Sequence, residues 1–285
     1  MLRVTFLGTS GSVPTVERGM PSIALKYESE LMLWDCGEGT QRQLMKYKVG
    51  YGSIDSIFIT HPHLDHYLGL FGLLETLKLS SPAPRPVRIF LPRGLDLEYD
   101  FARVEKLKGG ELYRGKGFSV TAVPVKHCRG AHAFVFEEEE KLKFHEEKAH
   151  ALGLQGRLFR EIQAKGKVKT GRGEVSLEDV SWRKPGRKIA YSGDCVPDSN
   201  LAEAAKGADL LIHEATFDSS MKDEAEERAH STAAGAAELA KSAGVKRLVL
   251  THISPRHSDT SALLEEARKI FPETEIAYDG LSIDI

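Results

Sequence analysis

From His61 to His66 the chain reads His-Pro-His-Leu-Asp-His, three histidines and an aspartate within six positions. The apolar run Ser-Ile-Phe-Ile-Thr (56–60) comes directly before it, and a leucine-rich stretch (67–79) directly after it. The first run has the length and β-branched content of a strand. In the second, leucines at 68, 70, 73, 74, 77 and 79 recur at helical spacing. The cluster therefore lies at a strand's C-terminal edge, where sheet proteins commonly place ligand-binding groups. Imidazole and carboxylate suit zinc, and manganese or iron with less selectivity. Four such groups in one tight loop are too crowded for one tetrahedral ion and suit two ions sharing the loop.

Further donors recur at the ends of other predicted strands. His127 ends Thr-Ala-Val-Pro-Val-Lys-His, Asp194 ends Lys-Ile-Ala-Tyr-Ser-Gly-Asp, and His252 ends Arg-Leu-Val-Leu-Thr-His. Strands are also expected at 2–6, 22–27, 30–35, 87–91, 118–125, 133–137 and 209–215, where short runs are rich in β-branched or aromatic residues. Helices are expected at 67–79, at 231–244 with Ser231 as the cap and Gly244 as the stop, and at 260–271. Strands dominate the first half and strand–helix alternation the second, which predicts a layered α/β fold with mixed sheets.

The 285 residues are 41% hydrophobic and 28% charged, with a formal net charge of −2. That balance carries no global signal for nucleic acid or membrane, and no apolar run approaches the roughly 20 residues of a membrane helix. The opening Met-Leu-Arg-Val-Thr-Phe reads as a strand and not as a signal peptide. Three separated cysteines make no disulfide framework, so a cytoplasmic location is expected. One region departs from the rest. Residues 141–188 hold 13 Lys and Arg against 6 Asp and Glu. They read as a basic insertion, an arm within a single domain spanning 1–285.

These motifs resemble the metallo-β-lactamase superfamily and, more finely, the ribonuclease Z family of tRNA 3′-processing endonucleases. The superfamily likeness rests on Thr-His-Pro-His-Leu-Asp-His-Tyr-Leu-Gly-Leu (60–70). The finer one rests on Phe-Leu-Gly-Thr-Ser-Gly-Ser-Val-Pro-Thr (6–15), Leu-Trp-Asp-Cys-Gly-Glu-Gly-Thr-Gln-Arg-Gln-Leu (33–44), Leu-Leu-Ile-His-Glu-Ala-Thr-Phe (210–217), Ala-His-Ser-Thr (229–232) and Leu-Thr-His-Ile-Ser-Pro-Arg (250–256).

The resemblance implies an αβ/βα sandwich with a protruding basic arm and a metal site at one edge of two facing sheets. It implies one zinc on His61, His63 and His127, a second on Asp65, His66 and His252, and Asp194 between them. Asp35 would accept a histidine N–H, Asp65 would serve as base, His230 as proton donor or phosphate stabiliser, and Glu214 as its orienting partner. The arm would grip the elbow of precursor tRNA through Arg157, Arg160, Lys165, Lys167 and Lys169, and the enzyme would be a homodimer.

Gly-Thr-Ser-Gly-Ser (8–12) reads either as a phosphate-cradling loop or as a tight turn. Cys36, Cys128 and Cys195 each follow a site residue by one and are expected to be inert. Competing readings are a small-molecule hydrolase of the same fold, such as a lactonase, thioesterase or phosphodiesterase, and a metal-stabilised RNA-binding module. The basic arm argues against the first, and the intact ligand set against the second.

Overall fold

The computed structural model describes residues 1–285 and is built around two seven-stranded sheets. Strands β1 (Leu2–Gly8), β2 (Ser22–Tyr27), β3 (Glu30–Trp34), β4 (Ile54–Phe58), β5 (Val87–Leu91) and β6 (Ala102–Lys106) belong to the first sheet. Strands β7 (Gly110–Gly115), β8 (Phe118–Pro124) and β9 (His132–Glu138) open the second. Four short strands follow: β10 (Lys141–Phe144), β11 (Lys167–Thr170), β12 (Gly173–Ser176) and β13 (Ser181–Lys184). The second sheet resumes with β14 (Lys188–Tyr191), β15 (Leu210–Glu214), β16 (Leu248–Thr251) and β17 (Thr274–Ile276), and β18 (Ser282–Asp284) returns to pair with β1. The orders are β18-β1-β2-β3-β4-β5-β6 and β17-β16-β15-β14-β9-β8-β7.

Alternation decides what each strand face buries. Phe6, Trp34, Phe58 and Phe90 of the first sheet pack with Phe118, Phe134, Phe136 and Tyr191 of the second in one aromatic core. The opposite face of the first sheet, with Leu33, Ile57 and Ile89, packs on Leu44 and on Leu70, Leu73, Leu74 and Leu77. Those residues come from helices Thr40–Lys46 and Gly69–Ser80. The outer face of the second sheet packs on helices Ala233–Ala243 and Ser261–Ile270. Alanines 233, 236, 237, 240 and 243 line that helix's buried side, and their small size lets it lie close to the strands. The result is helix, sheet, sheet, helix: the expected αβ/βα sandwich.

Strands β3 to β6 run parallel, as do β14 to β17. Antiparallel pairing through β2 points β1 the same way as β3. The chain therefore leaves β1, β3, β4, β5 and β6 at one edge. A bridge between Ser10 and Ile253 brings the end of β1 beside the end of β16.

Residues 138–187 form a compact unit of their own, separate from residues 1–137 and 188–285. It contains the hairpin β11–β12, the pair β10–β13, and helices Glu146–Ala151 and Arg157–Lys165. Ala149, Leu154, Ile162, Val168, Val175 and Val180 make its core. Gly156, at φ 47° and ψ −115°, starts the second helix in a conformation that essentially only glycine adopts.

Local details depart from the sequence reading. Strand β4 begins and ends two residues earlier than 56–60. Asp65 and His66 are not in a loop but in a helical turn, Leu64–Tyr67. The cap of helix Ala233–Ala243 is Thr232, whose hydroxyl accepts the Gly235 N–H. Ser231 instead donates to the Cys195 carbonyl at 2.6 Å, because its buried hydroxyl has that acceptor in reach. No helix is long and apolar enough to cross a membrane.

Glu137 and Lys188 are direct partners across β9 and β14. Replacing 138–187 by Asn-Gly, which suits a two-residue hairpin, should therefore leave the two sheets folded. A single cooperative thermal transition with the two sheets retained by circular dichroism is the expected result. A molten or insoluble product would show that 138–187 is needed by the main core.

Candidate metal centre

The edge where the parallel strands end collects every predicted donor. His61 and His63 lie in the extended link after β4, and Asp65 and His66 in the turn that follows. His127 comes from the turn between β8 and β9, Asp194 from the loop after β14, and His252 from the residue after β16. The histidine turn is seated on the segment after β3: the Cys36 N–H donates to the His66 carbonyl at 2.8 Å. Side chains are barred here. A Cβ on Gly37 would lie 2.3 Å from the Asp65 carbonyl oxygen, and one on Gly69 1.9 Å from that of Gly37.

The donor atoms fall into groups. His61, His63, His127 and Asp194 form one, and Asp65, His66 and His252 another, with all donor atoms in each within 4.8 Å. The Nε2 atoms of His61 and His127 lie 3.0 and 3.1 Å from His63 Nδ1. His66 Nε2 lies 3.4 Å from His252 Nε2. Asp194 Oδ2 sits among them, 3.3 Å from His66 and His252, 3.6 Å from His61 and 3.8 Å from His127. Its Oδ1 is buried without a hydrogen-bond partner, an exception among buried carboxylates. Nitrogens bound to one tetrahedral zinc at about 2.0–2.1 Å would stand about 3.3 Å apart. The residues present thus fit divalent cations.

Two buried carboxylates set the ring orientations, each in the same way. Asp35 Oδ2 accepts from His66 Nδ1 at 2.8 Å and from the Tyr191 hydroxyl at 2.8 Å. The Thr60 hydroxyl donates to Asp35 and so accepts from His61 Nδ1 at 3.0 Å. Glu214 Oε1 accepts from His230 Nδ1 at 2.7 Å. The Thr216 hydroxyl donates to Glu214 Oε2 at 2.7 Å and accepts from His252 Nδ1 at 2.9 Å. His127 Nδ1 donates to the Ala229 carbonyl at 2.8 Å. Four imidazoles thereby have Nδ1 engaged by an oxygen and Nε2 turned toward the centre, the arrangement that raises a ligand's basicity.

Electrostatics agree with a cationic occupant. Burial and the neighbouring His66 hold His61 well below its ordinary pKa, so it is neutral and able to ligate. Burial opposes charge on His66, but Asp194 and Asp35 hold it well above. The same carboxylates would attract a metal cation, which competes with that proton for Nε2. Asp65 is raised by burial and lowered more by His252 and His66, ending well below the usual carboxylate range. For His230, burial is outweighed by Glu214, which lifts it to about 9 and keeps it protonated at neutral pH.

Non-glycine residues in the left-handed region are uncommon, and four of the six in this chain serve the site. Asp35 is at φ 58° and His252 at φ 56°. Ser12, at φ 61°, donates its N–H to Asp65 Oδ2 at 3.0 Å. Ala229, at φ 54°, supplies the acceptor for His127. The Gly-Thr-Ser-Gly-Ser loop therefore orients Asp65, and its Gly11 lies so close that a Cβ would meet the His252 ring at 2.6 Å. Cys36 and Cys195 are buried, burial raises both thiols, and Cys36 is pushed up to about 12.

All seven predicted ligands meet here, with Asp35, Glu214 and His230 around them. The arm residues Arg157, Arg160, Lys165, Lys167 and Lys169 belong to the separate unit. Thr60, Thr216 and the backbone of Ser12 and Ala229 are functional groups that sequence reasoning missed. Only the threonines left a trace, as hydroxyls beside site residues in Thr-His and Glu-Ala-Thr.

A profile described as Beta-lactamase superfamily domain matches residues 143–253, and one described as tRNase Z endonuclease matches residues 11–69. The metallo-β-lactamase fold protein YhfI of Bacillus subtilis superposes with TM-score 0.75 over 99% of this chain and 98% of its own, at 18% identity. Fold and site together define a metallo-β-lactamase superfamily protein. Curated proteins named Ribonuclease Z are much nearer in sequence. That of Archaeoglobus fulgidus is 43% identical, covering 100% of this chain and 98% of its own, and that of Methanosarcina acetivorans is 40% identical with the same coverage. The short form of human tRNase Z is 31% identical, with TM-score 0.67 over 99% of both chains. The chain belongs to the ribonuclease Z family of tRNA 3′-processing endonucleases.

The threonine relays can be tested apart from catalysis. Thr60→Val and Thr216→Val should each lower metal affinity by roughly 10–100-fold, the usual effect of losing a ligand's outer partner. Competition with a chromophoric chelator measures it. Unchanged metal retention in both would show that the hydroxyls do not position His61 and His252.

Proposed function

We propose that the protein removes 3′ trailers from precursor tRNA, cutting after the discriminator base, with two zinc ions as cofactors. His61, His63 and His127 would hold one ion and Asp65, His66 and His252 the other, with Asp194 bridging. Manganese or iron could take their place in this nitrogen and oxygen donor set. The observation that carries this reading is the convergence of imidazole nitrogens on a half-satisfied buried Asp194, beside the hydrogen-bonded pair Glu214–His230. Divalent ions, when bound, supply a water acidic enough to attack near neutral pH and positive charge against the phosphodiester oxygens.

The chain's own residues handle the protons. Water attacks phosphorus and its proton passes to Asp65, which Ser12 N–H holds in place. The bond from phosphorus to the 3′ oxygen breaks, and His230 gives that oxygen its proton. Glu214 keeps His230 charged and aimed, leaving a 3′-hydroxyl on the tRNA and the phosphate on the trailer.

Shape-based grip on tRNA falls to the basic unit 138–187. Its positive charge is unevenly available. Lys165 and Lys167 pair with Glu161 and Glu174, and such exposed pairs are weak. Exposed Leu64, Leu68 and Phe71 share one helical face, and a second copy of the chain would cover it in a homodimer. Three free cysteines and a tRNA substrate fit the cytoplasm.

Labelled precursor tRNA incubated with zinc should yield one product ending at the discriminator base, and chelator should abolish it. A small-molecule hydrolase would cleave no tRNA, and a binding module would retain it uncut. His230→Ala should lower turnover by roughly 10²–10⁴ while retaining the metal content of the parent. Equal loss of metal would make His230 a ligand. Replacing Arg157, Arg160, Lys165, Lys167 and Lys169 with alanine should make the salt dependence of log K shallower by roughly 0.7–0.9 per lost phosphate contact. Unchanged tRNA binding at every salt concentration would overturn the arm's role.

A further inference from the structure

Along the shared edge, strand order fixes which groups lie on which side of the metal centre. The ends of β1 and β16 lie on one side, beside His252, and the ends of β5, β6 and β8 on the other. Each side has a cavity. The first, of about 380 Å³, includes Ser12, Phe217, Arg228, His230 and Arg256 in its wall. Its two arginines share one carboxylate, Glu224, at 3.1 Å from Arg228 and 3.4 Å from Arg256. The second, of about 600 Å³, is lined by Arg93, Lys108, Arg129 and His132 together with three glycines and Leu107.

The second cavity differs in charge. No aspartate or glutamate lines it. Arg93, Lys108 and Arg129 make no salt bridge, although neighbours such as Lys106 and Arg103 do. The three come from separate segments: after β5, after β6 and in the turn after β8. That turn also carries His127, so the cavity adjoins the centre, and the His132 N–H donates to the Thr60 carbonyl at 3.1 Å. At Gly94 and Gly130 nothing stands within 4 Å of where a Cβ would be. Three cations without a salt-bridge partner around a concave wall would attract a polyanion.

We propose that this cavity binds the backbone phosphates of the RNA on the 3′ side of the cut, the trailer, through Arg93, Lys108 and Arg129. The assignment rests on the function proposed above. His230 protonates the leaving 3′ oxygen, and that oxygen belongs to the tRNA body. The body therefore approaches from the His230 side, where the first cavity opens. The phosphate remains with the trailer, whose chain continues across the centre toward the second cavity. Contacts to phosphate alone would serve trailers of any sequence.

The test compares two precursors of one tRNA, with a trailer of one nucleotide and a trailer of several. The variant is Arg93→Ala/Lys108→Ala/Arg129→Ala in the full chain loaded with zinc. Its KM for the long-trailer precursor should rise several-fold. The salt slope for binding that precursor should fall by about 0.7 per lost contact, or about 2 in all. The one-nucleotide precursor should show a much smaller change. A 5′-phosphorylated oligouridylate should inhibit the parent competitively and the variant less. Arg93→Lys/Arg129→Lys, which keeps the charge, should stay near the parent. Equal loss on both precursors assigns the cavity to the tRNA body and overturns the proposal, as does a variant indistinguishable from the parent. If the parent itself cuts neither precursor, the proposed function fails instead.

Discussion

A buried carboxylate with no exposure at all, Asp35, receives the Thr60 N–H and hydroxyl, the His66 ring and the Tyr191 hydroxyl. Those partners come from the link and helical turn that follow β4 of one sheet and from β14 of the other. The side chain thus ties the two sheets together at the edge where the site lies. It also governs two histidines of different ligand groups, His66 directly and His61 through Thr60. Breaking a buried charged network by removing one partner costs about 3–5 kcal/mol. Here the same loss would free two rings, so stability and metal binding share one side chain.

Glu214 repeats the device on the second sheet, with His230 held directly and His252 through Thr216. The consequence is a division of labour with overlap. Asp35 reaches histidines of both donor groups, while Glu214 reaches His252 of one group and His230 outside them. A threonine hydroxyl suits the relay because it donates toward the carboxylate and still accepts from the ring. The carboxylate's influence thereby reaches a histidine it does not touch.

Much of this was legible in the sequence because the chemistry needs particular side chains in sequence-local positions. His61, His63, Asp65 and His66 stand in one run, and His127, Asp194 and His252 each follow an apolar strand pattern. The strands themselves were readable where both faces are buried, as in Val87–Leu91 and Leu210–Glu214. Ala102–Lys106 and Gly110–Gly115 were not, because they lie at the far strand positions of their sheets with little fully buried apolar content. The cap at Thr232 was missed by one residue because two adjacent hydroxyls compete and only tertiary contact with Cys195 decides between them. Arg93, Lys108 and Arg129 carry no local pattern, and only strand order gathers them.

The left-handed residues of the site divide by what they contribute. Each such non-glycine residue costs roughly 1–2 kcal/mol. Asp35 and His252 contribute side chains, so their strain is inseparable from their chemistry. Ser12 and Ala229 contribute only an N–H and a carbonyl, which glycine also has. Relief of strain there is offset by the greater freedom glycine gains in the unfolded chain. Two kinds of strained position thus differ in what they tolerate: Ser12 and Ala229 can give way to glycine without losing the group they supply, whereas Asp35 and His252 carry the side chains on which the histidine and carboxylate geometry depends.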